Sequence, residues 1–161
     1  MIKTGKGLIA IILIVVVIAV VAFVAYPMFS GGENKAKALQ PDMSVFPEGW
    51  SVESSESVAD SAGLMNKTYL SREWYVKSPT ERVVVSIQVF PSADKATEDY
   101  NRLYGFFGPG TPVSKFDKCF KSSGNDYYFQ KGNAVGQVLI VGSSLTPAQI
   151  NAILDNIAGK A

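Results

Sequence analysis

Glu81 to Phe90 reads ERVVVSIQVF, and this stretch decides the fold. Val83, Val85, Ile87 and Val89 fall on one side of an extended chain, while Arg82, Ser86 and Gln88 fall on the other. Side chains alternate across a strand, so the pattern predicts a strand with one buried face and one nearer water. Its β-branched content favours the same state. Upstream, Ser78-Pro79-Thr80 is a turn. It joins this strand to another over Lys67–Lys77, with Thr68, Leu70, Trp74 and Val76 on one face and Tyr69, Glu73 and Tyr75 on the other. Gly49 to Glu53 alternates and reads as a first strand, and the Ser-rich Ser54–Gly63 as a loop or a short turn of helix.

Downstream, Pro91-Ser92 opens a helix with Ser92 as N-cap and Asp94 in its first turn. Ala96, Tyr100, Leu103, Tyr104 and Phe107 follow helical spacing, and Gly108-Pro109-Gly110-Thr111-Pro112 ends the helix. The plan then recurs. Val113–Lys121 is an expected strand, Ser122–Asn125 a turn and Asp126–Lys131 a further strand. Lys131-Gly132-Asn133-Ala134 suits a tight turn, because Gly and Asn tolerate positive φ. Val135–Gly142 returns as a strand. Thr146-Pro147-Ala148-Gln149 is a capping box opening a helix whose apolar stripe is Ile150, Ile153, Leu154 and Ile157. Tyr75–Leu103 and Tyr128–Leu154 therefore read as pseudo-repeats in pattern, either a duplication or two uses of one plan. The expected fold class is α+β: an antiparallel sheet of about five to six strands with two helices packed on one face.

The N-terminal part differs in kind. From Leu8 to Phe29, 21 of 22 residues are apolar, and only Pro27 is not. Leu8–Tyr26 has 19 residues and no charge, which as a helix spans ~28 Å, close to the hydrocarbon thickness of a bilayer. A cleaved signal peptide is the rival reading, but its apolar region is shorter, ~7–15 residues with a small-residue cleavage site. Ala22-Phe23-Val24-Ala25 offers Phe where a small residue belongs. The expected layout is a cytoplasmic tail over 1–7, a transmembrane helix over 8–29, a linker over 30–41 and an extracytoplasmic domain over 42–161. Lys3 and Lys6 precede the span and Lys35 and Lys37 follow it, so lysine counts alone barely orient it. The α-amine, the short tail and the near-absence of cysteine favour the domain outside a cell membrane crossed once. Asn66-Lys67-Thr68 is a glycosylation sequon, making Asn66 a candidate acceptor.

Composition excludes whole classes of chemistry. Among 161 residues, Lys plus Arg is 15 and Asp plus Glu is 14, a net charge of +1. That balance argues against nucleic acid as a partner, which calls for a basic surplus. No histidine is present, which removes His bases, His triads and His metal ligands. A single cysteine, Cys119, removes intrachain disulfides and CxxC sites. The carboxylates are scattered at spacings that define neither an acid–base pair nor a calcium loop. Cys119 has Lys118 and Lys121 as its basic neighbours and no base to activate it. In an unbroken strand it faces with Asp117 and Lys121, opposite Phe116 and Phe120. Gly105, Gly108 and Gly110 lack the Gly-Lys-Ser/Thr ending of a phosphate loop. No catalytic residue, metal ligand or cofactor follows from these patterns. Aromatic residues are dense on the strands, and Tyr69, Trp74, Tyr75, Tyr127 and Tyr128 form a candidate binding surface together with Phe106 on the helix. The alternative is a second core layer beneath Ser54–Gly63.

Lys6-Gly7-Leu8-Ile9 resembles the processing site of archaeal type IV prepilins, which are cut after the Gly so that the apolar segment forms a filament core. Pro27 and the α+β domain depart from the continuous helix and mostly β head that this resemblance implies. The layout also resembles small single-pass membrane-anchored proteins of archaea. Over Met43–Ala161 the pattern is faintly similar to PsbP-like and small lipoprotein domains, a likeness that carries no motif and transfers no residue roles. The functional expectation is a non-catalytic, membrane-anchored binding or interaction domain, suited to an accessory subunit of a membrane complex. Its partners would be the bilayer through Leu8–Tyr26 and a protein. The alternative is a pilin-like structural subunit processed after Gly7.

Overall fold

The computed structural model describes residues 34–59 and 69–161. The apolar segment Leu8–Tyr26, the Gly7 processing site and Asn66 lie outside the described residues. Among the described residues no helix is long and apolar enough to cross a membrane.

Seven strands form one antiparallel sheet: β1 (Ser51–Ala59), β2 (Tyr69–Ser78), β3 (Glu81–Val89), β4 (Thr111–Pro112), β5 (Lys118–Lys121), β6 (Tyr127–Lys131) and β7 (Ala134–Val141), in spatial order β1-β2-β3-β7-β6-β5-β4. Among the described residues three α-helices accompany it: the single turn α1 (Lys35–Ala38), α2 (Ala93–Phe107) and α3 (Pro147–Lys160). The α+β class is as expected, and the sheet has seven strands rather than five to six.

The decisive strand behaves as its alternation requires. Val83, Val85 and Ile87 are fully buried, and Val89 nearly so, while Val84, Ser86 and Gln88 are half-buried. Its registry with β2 and β7 aligns Tyr75, Val83 and Ile140 on one face, and Trp74, Val84 and Leu139 on the other. The first face packs against α1, a 3-10 turn at Met43–Val45, and α3, which contributes Ile153, Leu154, Ile157 and Ala158. Phe46 stacks on Tyr75 at 4.4 Å and closes this core beside Trp50. The α3 N-terminus is the expected capping box of Thr146 and Gln149.

The two long helices lie on opposite faces, not on one. α2 packs with Ala96 and Tyr100 on Phe120, Tyr128 and Val135, a core separate from the first. The reason is that β5 and β6 are apolar on both sides: Cys119 and Phe129 pair on the α3 side, Phe120 and Tyr128 on the α2 side. Two half-chains related by the two-fold axis that the antiparallel β3–β7 pair and its flanking β2 and β6 require would keep their helices on one face. The two halves share a plan and are not a structural repeat.

Three further findings follow. Ser54 begins no loop, because β1 runs through to Ala59, antiparallel to β2, with a register shift between Val52 and Ser54. It hides from a hydrophobic pattern because Ser51 to Val58 are all exposed at the sheet edge. Of the expected strand Val113–Lys121 only Lys118–Lys121 is extended, as β5, and its partner β4 (Thr111–Pro112) lies in the segment read as the end of the helix. The intervening turn tucks Phe116 onto Phe129 with ring centroids 4.3 Å apart, which shifts the alternation and turns Cys119 inward. Finally, residues 34–41, part of the segment expected as a linker, belong to the same compact unit as the sheet. Asn34 caps α1 and donates from Nδ2 to Ser57 Oγ (2.6 Å) and to the Leu70 carbonyl (3.3 Å). Ala36 is fully buried, and buried Gln40 donates to Ser71 Oγ and the Val85 carbonyl, both at 3.2 Å.

Candidate functional site

Helix α2 is 15 residues long and covers the β5–β6–β7 end of its face. No described element covers the same face of β1, β2 and β3. Along β2 this surface presents Leu70, Arg72, Trp74 and Val76, and along β3 it presents Gln88, Ser86, Val84 and Arg82. Val58 and Val141 flank it and stay 43% and 54% exposed, so the open half of the sheet is a largely apolar surface edged with arginine.

Where the open surface meets α2, a groove of about 120 Å³ forms between Arg72, Ser86, Gln88 and Gln137 of the sheet and Asp99, Arg102 and Leu103 of the helix. Arg72 Nε donates to Ser86 Oγ at 2.9 Å, and its guanidinium carbon lies 5.8 Å from the Trp74 ring centroid, a cation–π distance. Arg102 donates from Nε and Nη2 to Asp99 Oδ1, at 3.1 and 2.6 Å. The Gln137 amide donates to Tyr128 Oη at 2.9 Å.

The six aromatic candidates do not share a face. Tyr75 and Tyr128 are core residues, 0% and 2% exposed, on opposite sides of the sheet. Tyr75 Oη donates to Glu73 at 2.6 Å; burial and that carboxylate raise its pKa. Burial also raises the pKa of Tyr127 and Tyr128. Tyr69 and Tyr127 are half-buried against the α3-side core, with Lys121 Nζ 5.9 Å from the Tyr127 ring. Trp74 is half-buried on the open surface. Phe106 is 73% exposed at the end of α2, beside Phe107, which stacks on Tyr128 at 4.8 Å. Of the six, Phe106 alone is largely exposed and Trp74 alone lies on the open face of the sheet, so the two belong to separate patches. Arg72, Ser86 and Gln88 were absent from the aromatic set, although they share the alternation that places Trp74.

Several groups with catalytic potential are engaged in the fold. Burial pushes the Cys119 thiol up to about 12, which leaves it protonated and unreactive at neutral pH. Asp42 pairs with Lys160 at 2.9 Å, and hydrogen bonds from Lys160 and Asn156 hold its carboxyl below the ordinary range. Glu81 is likewise lowered by hydrogen bonds from Ser144. Glu98 pairs with Lys95 at 2.8 Å and Asp155 with Lys115. No group of three or more acidic or thiol side chains suited to a metal ion occurs among the described residues.

No protein family, curated protein or solved structure matches the chain.

Proposed function

We propose that this chain is a membrane-anchored binding domain, held outside the cell by Leu8–Tyr26, which recognises a partner without performing chemistry on it. The observation that carries the reading is the open half-sheet on which Arg72 lies over Trp74. A sheet face that served only to cover a core would gain from a second helix, as the β5–β7 end does from α2. Here the surface combines apolar side chains with a fixed cation, a composition suited to recognition. The burial of Cys119 and the pairing of Asp42, Glu98, Asp99 and Asp155 with basic residues support a binding role over a catalytic one. The charge-free length of Leu8–Tyr26 supports the anchor.

The test is affinity purification of the full chain from native membranes, run in parallel with Trp74→Ala. A component recovered with the parent chain and lost with Trp74→Ala is the expected result. Identical recovery from both removes the open surface from the function. Lys6-Gly7-Leu8-Ile9 favours a second reading, a pilin-like subunit. Intact mass of membrane-extracted protein separates the two. A chain retaining residues 1–7 fits the anchored domain, one starting at Leu8 fits the processed subunit, and one starting near Tyr26 fits neither.

A further inference from the structure

We infer that the groove between α2 and the open sheet face is a site for an oxyanion, the carboxylate or phosphate group of a small ligand, with Arg72 as its anchor. The inference rests on the reading of this chain as a binding domain and names the ligand chemistry of its open surface. Arg72 is the starting point because its circumstances differ from those of its neighbours. Arg102 is engaged by Asp99, and Arg82 lies 3.6 Å from Glu53. Arg72 forms no ion pair among the described residues. Its guanidinium is nonetheless held, by Ser86 Oγ at the Nε edge and by the Trp74 ring at 5.8 Å. Among the described residues, those two contacts leave the four N–H donors of the terminal nitrogens, a planar fork that matches the two oxygens of a carboxylate or phosphate.

The surroundings suit the same class of group. Arg102 stands across the groove, and its partner Asp99 is already bound at 2.6 Å with a side chain only 13% exposed. The groove lining therefore carries two guanidiniums against one carboxylate already paired with Arg102, while Glu56, the neighbour of Arg72 across β1 on the same face, forms no ion pair with it. Gln88 adds an amide on the sheet side. The groove, about 120 Å³ and open to solvent, has room for an oxyanion group, and the remainder of the ligand would lie outward over Trp74. A guanidinium that is fixed and unpaired loses little side-chain freedom when an anion arrives, which is the condition for useful affinity at an exposed site.

The test is an amide and side-chain NMR titration of the ¹⁵N-labelled full chain in micelles. Sodium phosphate and sodium acetate are separate arms at constant ionic strength, with sodium chloride as reference. The readouts are the Arg72 Nε–H and Trp74 indole signals. Saturable, millimolar shifts with phosphate, with acetate or with both, confined to the groove, are expected, and the stronger arm names the group. Arg72→Gln weakens binding about tenfold or more, and Arg72→Lys fails to restore it, because a point charge lacks the fork. Both variants alter an exposed side chain, and an unchanged spectrum elsewhere verifies their fold. Shifts no larger than those with chloride, or binding that survives Arg72→Gln, overturn the inference. A parent chain that ignores both anions but retains a component sensitive to Trp74→Ala overturns the ligand assignment alone and leaves the binding-domain reading standing.

Discussion

Gly136→Ala pits two physical effects of opposite sign against each other. Gly136 lies in β7, opposite Phe129 of β6 and Ile87 of β3. A Cβ at this position meets the Phe129 ring: it would touch Cζ and stand 2.6 and 2.8 Å from Cε1 and Cε2. Ordinary contact begins near 3.4 Å, and with Cζ the closest atom the ring must retreat by more than about 1 Å. It has no room to do so, because Phe129 is fully buried and stacked on Phe116 at 4.3 Å. Interiors are close-packed, and forcing a carbon into one costs about 1–3 kcal/mol. Against that, replacing Gly in a strand restricts the unfolded chain and gains about 0.4–1 kcal/mol. Packing wins by these magnitudes, so the variant is less stable by about 1–2 kcal/mol. The corresponding fall in Tm is roughly 3–8 °C. Urea and thermal unfolding of the parent, Gly136→Ala, Phe129→Leu and the double variant measure it as a cycle. Phe129→Leu on its own is destabilising, and in the Gly136→Ala background it loses much of its cost, a favourable coupling of about 1 kcal/mol or more. A neutral or stabilised Gly136→Ala would refute the reasoning, since it would mean that the two residues do not touch.

Cys119→Ser buries a hydroxyl among Phe116, Phe129 and their neighbours, so stability should fall by about 1–3 kcal/mol. Recovery of a partner should be unchanged, and a thiol reagent should label the folded parent only as fast as it unfolds. The alkaline limb of stability is a separate expectation. Burial raises both Cys119 and Tyr100 to about 12, whereas the unfolded groups titrate near ~8.5 and ~10. A raised folded pKa gives stability that is complete below the unfolded value and lost as pH climbs toward the folded one. The urea midpoint should therefore hold through pH 8 and decline steadily above about 9. A midpoint that is flat to pH 11, or a thiolate absorbance appearing near pH 8, contradicts the buried placement.

Legibility in the sequence followed the boundary between one-sided and two-sided burial. β3 and α3 announce themselves because one face of each is apolar and the other polar, so period alone finds them. β1 escapes because its side chains are exposed on both faces, and its strand state comes from main-chain pairing with β2. β5 and β6 mislead in the opposite way: apolar residues on both faces carry no sidedness, and the opposite placement of α2 and α3 is a tertiary fact. The site divides along the same line. Trp74 and Arg72 share a face by the alternation of β2, but Tyr75 and Tyr128 read the same as Trp74 in composition and are core. Which aromatic stays at the surface depends on which half of the sheet α2 covers. The entry of Asn34 to Pro41 into the domain was hidden because the segment is polar and docks through hydrogen bonds and one buried alanine.

The sheet offers a partner either its edges or its open face, and the sequence treats these differently. β1 forms one edge, and it carries Glu53, Glu56, four serines and a register irregularity between Val52 and Ser54. Charge and irregular registry are devices that discourage a second strand from adding. The opposite edge is β4, two residues long and ending in Pro112, which lacks a donor for any further ladder. Both edges are thus defended against growth of the sheet, whether by another copy or by an extended peptide. The face over β1 to β3 carries no such defence. Leu70, Trp74, Val76 and Val84 lie side by side there, and its charges stand at the margin, Arg72 beside the groove and Arg82 bridging toward Glu53. A surface kept apolar while its edges are blocked selects for occupants that lie on the sheet and against those that extend it. It is this asymmetry on which the proposed binding role of the Arg72–Trp74 face rests.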